Sequence, residues 1–260
     1  TDERTLLKTL EVPSGHDRSL YVVERIEAEG EGGAKIPVTI LRLKTTPTDG
    51  SAPTLLYGYG SYGYAMSAGF STDILSLVDR GAVYAIAHIR GGADKGRQWY
   101  LDGKLANKMH TFTDFNAAAE ALISNAAVPF IHDITTISAA ELPLTPPEWE
   151  EWGDPITSAE EYGWIAEYSP YENIQHKDYP PIMATGGLTD YRVTYWEPTK
   201  WVARLRDDAK GGPFVLRMNM GAGHAGSAAR FERLDERAHL YAFALKAWGI
   251  EDAAPVKHGE

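Results

Sequence analysis

The chain has 260 residues, 43% hydrophobic and 23% charged, enough for one large α/β domain with a core of its own. Lys and Arg number 25 against 36 Asp and Glu, a net charge of −11, which disfavours nucleic acid as a partner and favours basic ligands. Cysteine is absent, which excludes disulfides, thiolate metal sites and a cysteine nucleophile, and no apolar run approaches the roughly 18 residues of a membrane span.

Residues 1–16 are polar apart from Leu6, Leu7 and Leu10, and read as a connecting segment ahead of a domain over 17–260. The opening Thr1-Asp2-Glu3-Arg4 has neither an initiator Met nor a signal-peptide pattern, which fits a piece of something longer. The expected location is cytoplasmic, with the periplasm as the alternative. Leu20 to Glu29 and Lys35 to Lys44 alternate apolar and polar residues around Gly30-Glu31-Gly32-Gly33, predicting an antiparallel hairpin.

Beyond Pro53 the pattern changes. Pro53 to Gly60 is a short apolar run ending in glycines; Ser71 or Thr72 can cap a helix through Val78, closed by Gly81. Ala82 to Ile89 reads as a buried parallel strand, and Thr111 to Ile123 as a helix with Phe112, Phe115, Ala119 and Leu122 on one side. Asp133 to Glu167 is rich in Pro and Trp and reads as mostly irregular, with a helix over Ser158 to Glu167. Strands are expected at Pro181 to Thr185 and Phe214 to Met218, and helices at Tyr195 to Arg206 and Phe231 to Trp248. Strand–helix alternation predicts a mostly parallel sheet with helices on both faces.

Two strand exits carry chemistry. Gly186-Gly187-Leu188-Thr189-Asp190 delivers an acid, and Gly221-Ala222-Gly223-His224 delivers an imidazole between small residues. Successive parallel strands bring both to the same carboxyl edge, where sites form in α/β sheets. Asp before His is the second half of the Ser…Asp…His order of a hydrolase triad. Either residue alone would more often be a loop cap or a surface group. The first half of the triad should be a serine in Gly-x-Ser-x-Gly, a pattern that none of the 260 residues provides.

Leu56-Tyr57-Gly58-Tyr59-Gly60-Ser61-Tyr62-Gly63, His88-Ile89-Arg90-Gly91-Gly92, Gly96-Arg97-Gln98-Trp99-Tyr100 and Thr111-Phe112-Thr113-Asp114-Phe115 form an ordered series. It continues through Glu150-Glu151-Trp152-Gly153, Tyr168-Ser169-Pro170-Tyr171, Tyr195-Trp196-Glu197-Pro198 and Ala222-Gly223-His224. In these motifs the chain resembles the catalytic domain of the prolyl oligopeptidase family, most closely its oligopeptidase B branch. The resemblance implies an α/β-hydrolase fold and a serine peptidase cutting short peptides after Arg or Lys through an acyl-enzyme, with no cofactor and no metal. Asp190 would orient His224, the general base, and Tyr59 would donate to the oxyanion, a contribution of roughly 3–4 kcal/mol. Arg192 would grip a substrate carbonyl, and Glu148 and Glu150 would form the first specificity pocket. On an extended segment such an i, i+2 pair points both carboxylates the same way, toward a guanidinium. A second acidic pair of that branch falls at Ser67 and Gly69, so a preference for a second basic residue should be weak.

The family's Gly-Gly-Ser-x-Gly-Gly belongs between Ile123 and Val128-Pro129-Phe130, where only Ser124-Asn125-Ala126-Ala127 stands. The central nucleophile strand and helix are therefore expected to be missing, and the nucleophile is unassigned. Omission of a stretch from the sequence, an engineered deletion and natural loss all fit; survival of Asp190, His224, Tyr59 and Arg192 in family context favours the first two. His132 and Asp133 also depart from the apolar family pattern. The family's β-propeller, which limits access to small peptides, would belong to the parent protein. The alternatives are a catalytically dead binding module, a prolyl-specific endopeptidase, and a lipase or esterase on the same fold.

Overall fold

The computed structural model describes residues 4–9, 11–12, 15–122 and 134–257. The hairpin forms as its alternation requires: β1 (Tyr21–Glu29) pairs antiparallel with β2 (Lys35–Leu43), Ile26 opposite Val38. Further strands are β3 (Thr54–Tyr57) and β4 (Val83–Ala87), separated by helix α1 (Thr72–Val78). The sheet order is β1-β2-β4-β3, with β2 and β4 antiparallel and β3 and β4 parallel. Ser71 sits at the N-cap of α1, but its side chain makes no capping bond.

The short helix α2 (Arg97–Leu101) leads into α3 (Met109–Leu122), which begins two residues before the expected Thr111; Ile123 lies outside the described residues. Phe115 and Ala118 of α3 pack with Ile36, Val38, Leu56, Ala85 and Ile89 in the main core. Each fully buried large apolar side chain there contributes about 1.5–3 kcal/mol. Strand alternation sends Leu55 the other way, into a cluster with Leu77 of α1 and with Tyr241 and Leu245 of the closing helix α8 (Arg230–Trp248). Helices thus cover both faces of the sheet, as its strand–helix alternation predicted. Phe112 turns from that core to a third cluster, with Ile137, Trp152, Ile165 and Tyr168.

In the stretch read as mostly irregular, α4 (Ile134–Ile137) and α5 (Thr145–Trp152) are helical, and α6 (Ala159–Tyr168) is the helix expected over Ser158 to Glu167. Pro146 and Pro147 look like helix breakers, yet they occupy the first positions of α5, where no intrahelical N–H is needed. Ser158 caps α6 by accepting from the Glu161 N–H at 3.2 Å.

In the last third, β6 (Ile182–Gly187) and β8 (Phe214–Asn219) run parallel, joined through α7 (Trp196–Asp208). Two-residue strands β5 (Asp178–Tyr179) and β7 (Lys210–Gly211) pair beside them. Among the described residues, β6 and β8 pair with each other and not with the four-stranded sheet. The Ser124-Asn125-Ala126-Ala127 joint, Val128-Pro129-Phe130, His132 and Asp133 lie outside the described residues. Among the described residues, no helix is long and apolar enough to cross a membrane.

Candidate active site

Parallel pairing of β6 with β8 puts both strand exits on one edge. The two exits then run together backbone to backbone. The Leu188 N–H donates to Asn219 O at 2.9 Å, and the Thr189 N–H to Ala222 O at 3.2 Å. A Cβ on Gly187 would stand 2.4 Å from Ala222 O, so only glycine lets the chains approach this closely. The Asp190 N–H closes the turn on Gly187 O at 3.2 Å.

This turn brings together two residues far apart in sequence. His224 Nδ1 lies 3.0 Å from Asp190 Oδ2. The other oxygen, Oδ1, accepts the backbone N–H groups of Arg192 at 2.9 Å and Val193 at 3.0 Å. The acid is buried, with 7% of its side chain exposed, whereas the imidazole is 48% exposed. A carboxylate facing Nδ1 takes the ring's N–H there and leaves the lone pair on Nε2, free to accept a proton.

The His224 loop is tied at both ends by residues the sequence reading did not select. Asn219 Oδ1 accepts the Gly221 N–H at 2.9 Å, while its Nδ2 donates to Ser227 Oγ at 2.8 Å and to Glu236 Oε1. Glu236 Oε2, reaching over from α8, accepts the Ser227 N–H at 3.3 Å. Burial would raise the Glu236 carboxyl, but hydrogen bonds from Asn219 and Ser227, with Arg217 nearby, outweigh it and hold the group below its usual range. Ser227 is thus a buried tie in this loop. A cavity of about 250 Å³ opens beside the Asp190–His224 pair, lined also by Asn219 and Glu236.

Tyr59 follows β3 and is 37% exposed, its ring 6.4 Å from Tyr62 and 5.7 Å from Tyr64. Burial raises its phenol pKa, with Tyr57, Glu148 and Glu151 adding to the rise and the Arg192 charge opposing it. Arg192 is exposed, and its backbone N–H binds Asp190.

The acidic pair needs correction. Glu148 and Glu150 lie on helix α5, not on an extended segment. Residues two apart on a helix point about 200° away from each other, and residues three apart share a face. Glu150 is accordingly exposed, and the carboxylate on the Glu148 side is that of Glu151, 3% exposed. Glu148 accepts from the Tyr62 hydroxyl and from Trp152 Nε1 at 3.2 Å. Burial and then the Glu148 bond push the Tyr62 phenol far above its ordinary value. Glu151 takes the Tyr62 N–H at 2.9 Å, Lys108 Nζ at 3.2 Å and the Tyr100 hydroxyl at 2.8 Å. No period in Pro146-Pro147-Glu148-Trp149-Glu150-Glu151 picks Glu151 out until the segment is known to be helical.

The family model for the prolyl oligopeptidase family matches residues 68–129 and 123–251. The chain belongs to the prolyl oligopeptidase family. It is 45% identical to dipeptidyl aminopeptidase BI of Pseudoxanthomonas mexicana, covering 96% of this chain and 39% of that protein. It is 40% identical to Protease 2 of Moraxella lacunata, covering 96% and 41%. The structure matches oligopeptidase B from Leishmania major with a TM-score of 0.89 at 37% identity, over 96% of this chain and 40% of that one. It matches Trypanosoma brucei oligopeptidase B with covalently bound antipain, closed form, with a TM-score of 0.88 at 36% identity, over 95% and 40%.

This prolyl oligopeptidase family chain thus has the α/β-hydrolase fold, and it spans about two fifths of the length of these relatives. The two matched segments of the family model meet at residues 123–129. The alignments with both relatives run to 287 positions, more than the 260 residues of this chain, so the relatives carry residues with no counterpart here.

Proposed function

We propose that this chain is the catalytic domain of a serine oligopeptidase that hydrolyses short peptides after Arg or Lys, its serine lying in a stretch this sequence lacks. The observation that carries the reading is the 3.0 Å contact of Asp190 with the exposed imidazole of His224 at adjacent parallel strand ends. His224 Nε2 takes the serine proton as the hydroxyl attacks the peptide carbonyl, and returns it to the leaving amine. Asp190 holds the ring in the required tautomer and stabilises the imidazolium. Tyr59 donates to the oxyanion, and Arg192 binds a substrate carbonyl. The covalent antipain on the Trypanosoma brucei relative is the kind of adduct a nucleophile at such a site leaves. Residues 1–16 connect to a β-propeller in the parent protein, which restricts entry to short peptides.

The preference for basic residues rests on Glu148, whose neighbours Tyr62 and Trp152 are neutral donors. Losing a hydrogen bond to a charged group costs about 1.5–3 kcal/mol, or roughly 10–150-fold. Glu148→Gln should lower kcat/KM by that factor on Arg and Lys chromogenic peptides and leave a Pro peptide unchanged. Glu150→Gln should alter neither. Equal hydrolysis of all three peptides would end the pocket assignment, and a Pro preference would make the protein a prolyl endopeptidase.

A second reading, a peptide-binding module without catalysis, is favoured by the lack of any Gly-x-Ser-x-Gly in the 260 residues. Intact mass and a fluorophosphonate probe separate the two. A mass above 28.6 kDa with a labelled serine supports the peptidase; a mass of 28.6 kDa without labelling supports the module.

A further inference from the structure

The geometry points to Lys108 as a positioning residue: its buried ammonium clamps Gly60, Ser61 and Glu151 together and so sets where Tyr59 and Tyr62 stand. The inference rests on the reading of Tyr59 as the oxyanion donor.

Lys108 is among the largest fully buried side chains, with none of its side chain exposed. A buried ammonium is costly unless every donor is used. Here all three are: Nζ donates to Gly60 O at 2.9 Å, Ser61 Oγ at 2.8 Å and Glu151 Oε1 at 3.2 Å. The Trp152 ring closes the remaining side at 4.4 Å.

The clamped segment is a turn in which Gly60, Tyr62 and Gly63 have φ of 69°, 56° and 65°. A tyrosine in the left-handed region persists only where its surroundings impose it. They do: the oxygen of Glu151 that meets Lys108 also takes the Tyr62 N–H, at 2.9 Å. Thr111 Oγ1 adds a second donor to Gly60 O at 3.2 Å. Tyr59 is the residue immediately before this turn. A core plug could be methionine; a cation that spends each donor on one turn and its anchor is a positional device.

Among the described residues, the charged and titratable groups around Lys108 are Glu151 on α5 and Lys104 ahead of α3, with Tyr100, Tyr62, Tyr59 and Tyr168 reached through Glu151. Burial lowers Lys108 to about 8; Glu151 opposes the shift and Lys104 reinforces it. Above that pH the ammonium loses its proton, and Glu151 loses its counter-charge beside Tyr62.

The test is NMR of this chain carrying ring-labelled tyrosine, with Tyr59 and Tyr62 assigned through Tyr59→Phe and Tyr62→Phe, followed from pH 6 to 10. Both signals should move in one step near pH 8 while Tyr84 and Tyr241 show no such step. Lys108→Met should abolish the step and displace both signals at every pH. No step in the unsubstituted chain, a step that survives Lys108→Met, or a shift shared by all tyrosines would each overturn the inference. If Lys108→Met does not fold, the step in the unsubstituted chain decides. The measurement needs no hydrolysis, so it stands apart from the oxyanion reading, which fails separately if Tyr59→Phe leaves kcat unchanged.

Discussion

His224→Ala should lower kcat on an Arg chromogenic peptide by about 10⁶-fold, and Asp190→Asn by about 10⁴-fold, with little change in KM. Both values apply to the protein in the form that labels with a fluorophosphonate. The difference between them has a structural cause. Without the imidazole nothing takes the serine proton. With Asn at 190 the ring remains, but a side-chain amide facing Nδ1 can donate there and favour the tautomer with its proton on Nε2, where the base is needed. Asp190 is also well tethered, with Oδ1 on two backbone N–H groups, so Asn should leave the turn standing. Pre-steady-state kinetics read the effect, and unchanged circular dichroism excludes unfolding. Losses under tenfold for both variants would remove the pair from the chemistry.

Arg90→Met should destabilise the domain by about 3–5 kcal/mol, as expected when one member of a buried ion pair is removed. Asp114 on α3 has no exposed surface, and Arg90 meets it three ways: N–H to Oδ2 at 3.0 Å, Nε to Oδ2 at 2.8 Å and Nη2 to Oδ1 at 2.5 Å. Removing the guanidinium leaves a carboxylate in the main core with one backbone donor. The double variant Arg90→Met/Asp114→Leu should recover most of the loss, because the penalty lies in the unpaired charge and not in missing attraction. Urea titration measures both. A single-variant loss below 1 kcal/mol would show that water or another group compensates Asp114.

The elements that were legible are those whose period is written locally. The hairpin alternates residue by residue, and Ala82 to Ile89 reads as a buried run between glycines. The exits at Asp190 and His224 announce themselves by small residues that allow close backbone approach. Where the reading failed, the local signal was ambiguous. Pro146 and Pro147 mark a loop or a helix start equally well, and the choice inverted the faces of Glu148, Glu150 and Glu151. Asn219, Ser227 and Glu236 carry no pattern that ties them to His224, since their contacts depend on how α8 returns to the strand ends.

Residue order along the chain therefore determined the fold class, the family and the pairing of an acid with an imidazole. Parallel strands, once recognised, leave their exits only one edge to share. Tertiary structure alone decided which carboxylate faces the Tyr59 turn, which lysine neutralises it and how the His224 loop is tied. Apart from Asn219 with Gly221, those are contacts across 8 to 89 positions, formed by packing that short-range periodicity does not encode.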